Sequence, residues 1–280
     1  MQELAGRLIS RPLGIPAPTQ SEQSYYKAGK MLSQDLVRSV HNAVCAVGVL
    51  PVPLEDWLRR PREYPLEVQG SGFLVRPNTV ITNRHVLEST VARANLLDAP
   101  ETQLFVSFIA PSQTSRNIGT LRMIRRTYVP EQGKIDVALL EIKPQPKAHF
   151  EGILPLTVAQ SPAVAVSEEV YVCGYPYGNI LLEPEGGPYR FGPVIQQGYV
   201  SGLSPFAGSE APEEILLDVR TAYGMSGSPV VRSTTGEVIG LHYEAMMEKA
   251  AITTTSFAIP LDSQRVARWL AEFDAVLRDA

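Results

Sequence analysis

The 280-residue sequence predicts an all-β fold framed by a helix at each end. Three observations carry that expectation. Short apolar or alternating runs recur from Val44 onwards, punctuated by Gly, Pro and Asn, in the pattern of β-sandwiches or barrels. A Pro-rich link at Pro144–Pro162 divides these runs into two groups of about six each. Clear helical spacing of apolar residues is confined to the two ends of the chain.

Taken in order, Pro12, Pro16 and Pro18 break the opening stretch. Ser21–Val40 then places Tyr25, Ala28, Met31, Leu32, Leu36 and Val40 at near-helical spacing, so residues 1–40 are expected to form an N-terminal extension ending in a helix. The first group of strands is expected at Val44–Leu50, Gly72–Val75, Val80–Thr82, Leu104–Ala110, Met123–Val129 and Val137–Ile142. Between them, Glu88–Gly119 reads as a variable loop around the Leu104–Ala110 strand. The second group is expected at Val170–Val172, Ile195–Ser201, Ile215–Val219, Pro229–Val231, Val238–Leu241 and Thr253–Ala258. Asp262 or Ser263 can then cap a helix in which Val266, Trp269, Leu270, Phe273, Val276 and Leu277 form one apolar stripe. Such a helix is expected to pack on the second group of strands. The chain thus divides into 1–40, 41–155, 156–260 and 261–280.

Composition narrows the function. Hydrophobic residues at 44% and charged ones at 19% allow a sizeable core and argue against disorder. A net charge of −4 does not suit a surface built for nucleic acid, so no nucleic-acid partner is expected. The longest uncharged apolar stretch, Ala43–Leu54, is too short to span a bilayer and contains two prolines; no membrane partner is expected. The opening segment lacks the apolar core of a secretory signal, so a cytoplasmic location is expected, with a secreted mature form left open. Cys45 and Cys173 lie in separate apolar segments and read as buried free thiols of a reducing compartment. The histidines are scattered without an H-E-x-x-H pattern, so neither a metal site nor a cofactor is expected. Two short basic runs, Arg59-Arg60-Pro61-Arg62 and Arg122, Arg125, Arg126, read as solvated faces.

Three segments bear chemistry: Thr82-Asn83-Arg84-His85-Val86, Asp136-Val137-Ala138-Leu139-Leu140 and Gly224-Met225-Ser226-Gly227-Ser228-Pro229. They supply His85, Asp136 and Ser226 in that order. A serine hydroxyl is a weak nucleophile at neutral pH; it needs a base, and the base needs a third group to hold its tautomer. Gly224, two positions before the serine, lets the backbone turn so that the N–H groups of Gly224 and Ser226 can converge on an oxyanion. The order His, Asp, Ser is that of two-barrel enzymes; subtilisin-type and α/β-hydrolase enzymes use other orders, and Ser228 breaks their G-x-S-x-G motif.

With these segments the sequence resembles the trypsin-like peptidase superfamily, and looks closest to its bacterial branches, the Deg/high-temperature-requirement proteases and the glutamyl endopeptidases. Gly70-Ser71-Gly72-Phe73 is similar to the family's G-S-G-F strand, Cys173-Gly174-Tyr175-Pro176-Tyr177-Gly178 to the Deg G-N-P-F-G loop, and Gly198-Tyr199-Val200-Ser201-Gly202 to its G-x-V-S strand. Phe257-Ala258-Ile259-Pro260 resembles the F-A-I-P before the Deg C-terminal helix. Ser226-Gly227-Ser228-Pro229-Val230 and Gly240-Leu241-His242 resemble glutamyl endopeptidase motifs. The resemblance spreads over most of residues 44–270 and implies two six-stranded antiparallel barrels of the chymotrypsin type, the first carrying His85 and Asp136 and the second carrying Ser226. It implies a serine endopeptidase acting on protein or peptide substrates through an acyl-enzyme.

The same resemblance places Arg220 at the floor of the primary pocket, where a permanent cation would reject basic substrate residues. Thr221 and His242 match the hydroxyl and the histidine that hold an acidic side chain in glutamyl endopeptidases. Cleavage after Glu or Asp is the leading expectation, with cleavage after small or apolar residues as the alternative. Tyr243 would lie on the strand edge that pairs with the substrate backbone. One departure stands out: Met225 occupies the position that is Asp or Asn in most relatives. It motivates the expectation that activity depends on a regulatory partner, docked through the N-terminal extension or the C-terminal helix, or on substrate-induced ordering. It is also the support for an alternative, a catalytically silent trypsin-fold binding module.

Overall fold

The computed structural model describes residues 34–60, 63, 66–97, 102–111, 117–131, 135–144, 153–178, 192–245 and 255–276. Leu36–Ala280 form one compact unit. Residues 1–33, and with them most of the helix expected over Ser21–Val40, lie outside the described residues; helix α1 spans 34–43.

Twelve strands follow. β1 (Val44–Leu50), β2 (Glu67–Arg76), β3 (Thr79–Thr82), β4 (Gln103–Pro111), β5 (Asn117–Tyr128) and β6 (Ala138–Ile142) close a barrel in the order β1-β2-β3-β6-β5-β4. β7 (Glu169–Gly174), β8 (Val194–Ser204), β9 (Glu214–Leu217), β10 (Pro229–Arg232), β11 (Val238–Ala245) and β12 (Ser256–Pro260) close a second one in the order β10-β11-β12-β9-β8-β7. Read around the ring, the two orders are the same topology used twice. Every strand pair is antiparallel. These are the two six-stranded barrels that the resemblance implies.

The near-continuous apolar runs have a simple cause. Side chains alternate between the two faces of a strand, and in the first barrel both faces are covered. Cys45, Val47, Leu74, Val80, Val106, Phe108, Leu140 and Ile142 fill its interior. Their neighbours Val44, Ala46, Phe73, Ile81, Phe105, Ile109 and Leu139 face outwards into a second apolar layer, shared with Val231, Val238 and Leu241 of the second barrel. The second barrel has its own interior, which includes Val170, Val172, Val200, Ile215, Leu217, Val230 and Ile239. Both cysteines are buried free thiols, and burial pushes both pKa values up.

Three expectations need correction. The C-terminal helix, α4 (Ser263–Val276), packs on the first barrel as well, and not on the second alone. Val266, Trp269 and Phe273 enter the shared layer, Phe273 stacks on Tyr128 of β5 at 5.6 Å, Tyr128 Oη donates to Glu272 at 2.9 Å, and Arg76 of β2 grips Asp274 with two bonds of 2.8 and 2.7 Å. The apolar stripe was legible in the sequence, but its partner surface was not, because stripe and receiving layer lie far apart in the chain. Second, two helices interrupt the first barrel, α2 (Leu54–Arg59) and α3 (Arg84–Leu96). α3 buries only Val86, Leu87 and Thr90, a stripe too narrow to announce itself by periodicity. An i,i+4 pair, Arg84 to Glu88 at 2.6 Å, supports its first turn. Third, Arg122 is no solvated face: it is 4% exposed, donating from Nε to Lys143 O at 2.9 Å and from Nη2 to Asn78 Oδ1 at 2.6 Å. Burial pulls its pKa down to about 10.

Candidate active site

Pairing of β3 with β6 brings the first two candidates together. Thr82, the last residue of β3, stands opposite Ala138, the first of β6. Three residues past Thr82 the chain reaches His85, in the first turn of α3; two residues before Ala138 stands Asp136. His85 Nδ1 and Asp136 Oδ2 are 2.6 Å apart, and the backbone N–H of His85 donates to Asp136 Oδ1 at 2.9 Å. Asn83 Nδ2 donates to the Asp136 carbonyl at 2.9 Å and ties the two segments from the other side. One carboxylate thus holds both the ring and the main chain of the histidine. With Nδ1–H committed to Asp136, Nε2 is left as the basic nitrogen.

Ser226 lies in the connection between β9 and β10, where four successive peptides are held in alternation. The Tyr223 carbonyl accepts from Tyr177 N at 2.6 Å. The Gly224 carbonyl accepts from Ser71 Oγ at 2.7 Å, and Met225 N–H, on the opposite side of that peptide, donates to Ala222 O at 3.0 Å. The Met225 carbonyl accepts from Ser228 N at 3.0 Å and from His242 Nδ1 at 3.2 Å. The Ser226 carbonyl accepts from Ser71 N at 2.8 Å, while Gly227 N–H donates to His242 O at 2.9 Å. Because a trans peptide points its C=O and N–H in opposite directions, every carbonyl in the series is fixed, and so is every N–H direction. Among the described residues, the N–H groups of Gly224 and Ser226 have no acceptor. The loop requires its glycines. Gly224 has φ +91° and a Cβ there would stand 2.3 Å from Tyr175 O; Gly227 has φ +89° and its Cβ would stand 1.9 Å from Ser71 O.

Met225 is 1% exposed, and its side chain packs in the interior of the second barrel with Val172, Val230 and Ile239. The Ser226 hydroxyl donates to the Tyr243 carbonyl at 3.1 Å, so the structure places it on the second barrel and does not bond it to His85. Tyr243 sits at an irregularity of β11, between the pairs His242↔Ala258 and Glu244↔Phe257, and its own hydroxyl donates to Glu214.

Of the expected pocket residues, His242 is buried, with Nδ1 against Met225 O. Its Nε2 and the Thr221 hydroxyl Oγ1 are each buried and have no partner among the described residues. Burial pulls the His242 pKa down to about 4, opposed by the bond to Met225 O and reinforced by His85. Arg220 is exposed, so it is not the desolvated charge that a closed pocket floor would make it. Among the described residues, no group of three or more His, Cys, Asp or Glu side chains could hold a metal ion.

Comparison with known proteins identifies the family. The family model of the trypsin-like peptidase domain matches residues 70–241. The chain belongs to the trypsin-like peptidase family. A glutamyl endopeptidase of Staphylococcus epidermidis is 26% identical over 184 residues, 65% of this chain and 56% of that protein. A mitochondrial Do-like 3 protease of Arabidopsis thaliana is 24% identical over 234 residues, 82% of this chain and 35% of that protein. The aligned region therefore spans about half, or less, of these curated relatives. Among solved structures, the HtrA-type protease AlgW with a decapeptide superposes with a TM-score of 0.55 at 16% identity, covering 88% of this chain and 67% of that one. An inactive form of Rv3671c from M. tuberculosis H37Rv gives 0.50 at 18% identity, covering 93% and 96%. At these identities the structural likeness concerns the fold.

Within this trypsin-like domain, sequence reasoning missed two residues that hold the Ser226 loop, Ser71 and Tyr177. Both stand in quoted motifs, G-S-G-F and C-G-Y-P-Y-G. The signal was present, but nothing local to either motif says which distant carbonyl it meets.

Proposed function

We propose that this chain is a serine endopeptidase that cleaves protein or peptide substrates through an acyl-enzyme. The observation that carries the reading is a histidine oriented by a carboxylate in the same domain as a serine whose own N–H, like that of Gly224, has no acceptor among the described residues. In this reading Ser226 Oγ turns about χ1 from Tyr243 O towards His85. His85 Nε2 takes its proton as Oγ attacks the scissile carbonyl, and the imidazolium is stabilised by Asp136. The N–H groups of Gly224 and Ser226 receive the oxyanion. Collapse of the tetrahedral intermediate expels the amine, which takes the proton from His85; water, activated by the same base, then frees the acid and restores Ser226. A fluorophosphonate probe tests this: the parent is labelled and Ser226→Ala is not. An unlabelled parent would support the silent binding module instead.

For the primary pocket the reading is selection of acidic side chains, supported by the orphaned Thr221 hydroxyl and His242 ring. With Nδ1–H given to Met225 O, neutral His242 presents a bare lone pair at Nε2. A carboxylate needs a donor there. Binding of Glu or Asp is therefore coupled to uptake of one proton by His242, whereas a Gln amide can donate to the neutral ring directly. Exposed Arg220 adds long-range attraction. Matched peptides with Glu, Gln, Ala or Lys at the cleaved position, measured from about pH 5 to about pH 8, test it. The Glu/Gln ratio of kcat/KM should exceed one and fall as pH rises, since the triad terms cancel in the ratio. A preference for Lys would overturn the reading.

The buried thiols support the cytoplasmic setting of this proposal. The pinned oxyanion loop gives no support to partner-dependent assembly of the hole, and Val266, Trp269 and Phe273 of α4, already buried against the rest of the unit, give none to docking through them.

A further inference from the structure

Ser71 lies on β2 of the first barrel and is fully buried, yet most of its polar atoms serve the second. Its Oγ donates to Gly224 O at 2.7 Å and accepts from Tyr175 N at 2.9 Å. Its backbone N–H donates to Ser226 O at 2.8 Å. Its carbonyl accepts from Thr82 Oγ1 at 2.6 Å and packs so closely on Gly227 that a Cβ there would stand 1.9 Å away. A single residue of one barrel thus bonds the Gly224–Met225 and Ser226–Gly227 peptides of the other.

We propose that Ser71 is a positioning residue for the oxyanion hole: its hydroxyl, shared between the Gly224 carbonyl and the Tyr175 N–H, holds the loop so that the Gly224 and Ser226 N–H groups converge. The proposal rests on the peptidase reading above. A hydroxyl suits the task because one oxygen donates one bond and accepts another; Ala can do neither, and a carboxylate could not donate. The bonds that hold the four loop peptides are otherwise main chain to main chain, except that from His242, which lines the primary pocket. Ser71 is therefore the side chain through which the loop can be loosened without altering that pocket. The effect propagates through peptide planarity: with Gly224 O released, Met225 N–H leaves Ala222 O and the Gly224–Ser226 pair loses its fixed angle.

The test is Ser71→Ala in the full chain. kcat and KM are measured on a peptide substrate per active site, with sites counted by fluorophosphonate labelling. A peptide boronic acid, whose tetrahedral adduct fills the same hole, is measured alongside. We expect kcat to fall at least about tenfold, KM to stay within about twofold, and the boronate Ki to rise by the same factor as kcat falls. A merely structural role would lower the melting temperature and the number of labelled sites while leaving per-site kcat and Ki at parental values; that result overturns the proposal. If the Ala variant does not fold, Ser71→Cys, which keeps the shape with a weaker donor, is measured in the same way, and parental per-site values again overturn it. A parent that neither labels nor turns over peptide would sink the peptidase reading itself, which is a different failure.

Discussion

Ser226 Oγ donates to the carbonyl oxygen of Tyr243 at 3.1 Å. Ser226 is thus held by the main chain of β11, while His85 is held by Asp136. In a structure of the phosphonylated protein, Oγ should have left Tyr243 O, and a phosphoryl oxygen should lie about 2.7–3.1 Å from both Gly224 N and Ser226 N. A phosphoryl oxygen turned away from both would contradict the assigned hole.

Asp136 holds both the ring and the backbone of His85, so its removal should impair catalysis far more than folding. Asp136→Asn should lower kcat by about four orders of magnitude. Steady-state kinetics on labelled-site-normalised protein would show it, and a loss below about tenfold would count against the role of Asp136.

Burial of His242 links stability to pH. Its folded pKa, about 4, lies below the ordinary 6.5, so between those values the unfolded chain binds more protons. Stability should be complete above about pH 6.5 and fall as pH drops towards about 4, by on the order of 3 kcal/mol from this group. Urea unfolding of the parent and of His242→Gln across that window would test it: the variant should lack this part of the slope.

The C-terminal helix is anchored by Trp269, which is fully buried in the layer between barrels and helix. Trp269→Ala should destabilise the protein by about 3–5 kcal/mol. Removing the half-exposed Arg76–Asp274 pair should matter much less, about 1 kcal/mol or below, and less again in high salt. Thermal unfolding of the two variants would rank them, and the opposite order would refute the packing argument.

How much of this was legible can be judged residue by residue. β1 was found where expected because an uninterrupted apolar run, Val44–Leu50, is unmistakable. β5 starts at Asn117, not Met123, because its first half continues a hairpin with β4 that polar residues had disguised as loop. The strand expected at Thr253–Ala258 appears as Ser256–Pro260. His85, Asp136 and Ser226 could be picked out because each sits in a short segment of unusual chemistry. The exposure of Arg220, the burial of Arg122 and the role of Ser71 could not, since each depends on what faces the side chain from another part of the chain.

The linear order of residues by itself determined the strand-rich architecture, the two groups of strands, the amphipathic C-terminal helix and the segments that hold the candidate side chains. These follow from periodicity and from the reactivity of single residues, which are local properties. Only the tertiary structure decided that the last helix reaches the first barrel, that Ser226 rests on Tyr243, and that four successive peptides leave the N–H groups of Gly224 and Ser226 without an acceptor among the described residues. Each of these depends on a buried backbone or side-chain group finding its partner at long separation, and no local pattern encodes which partner that is.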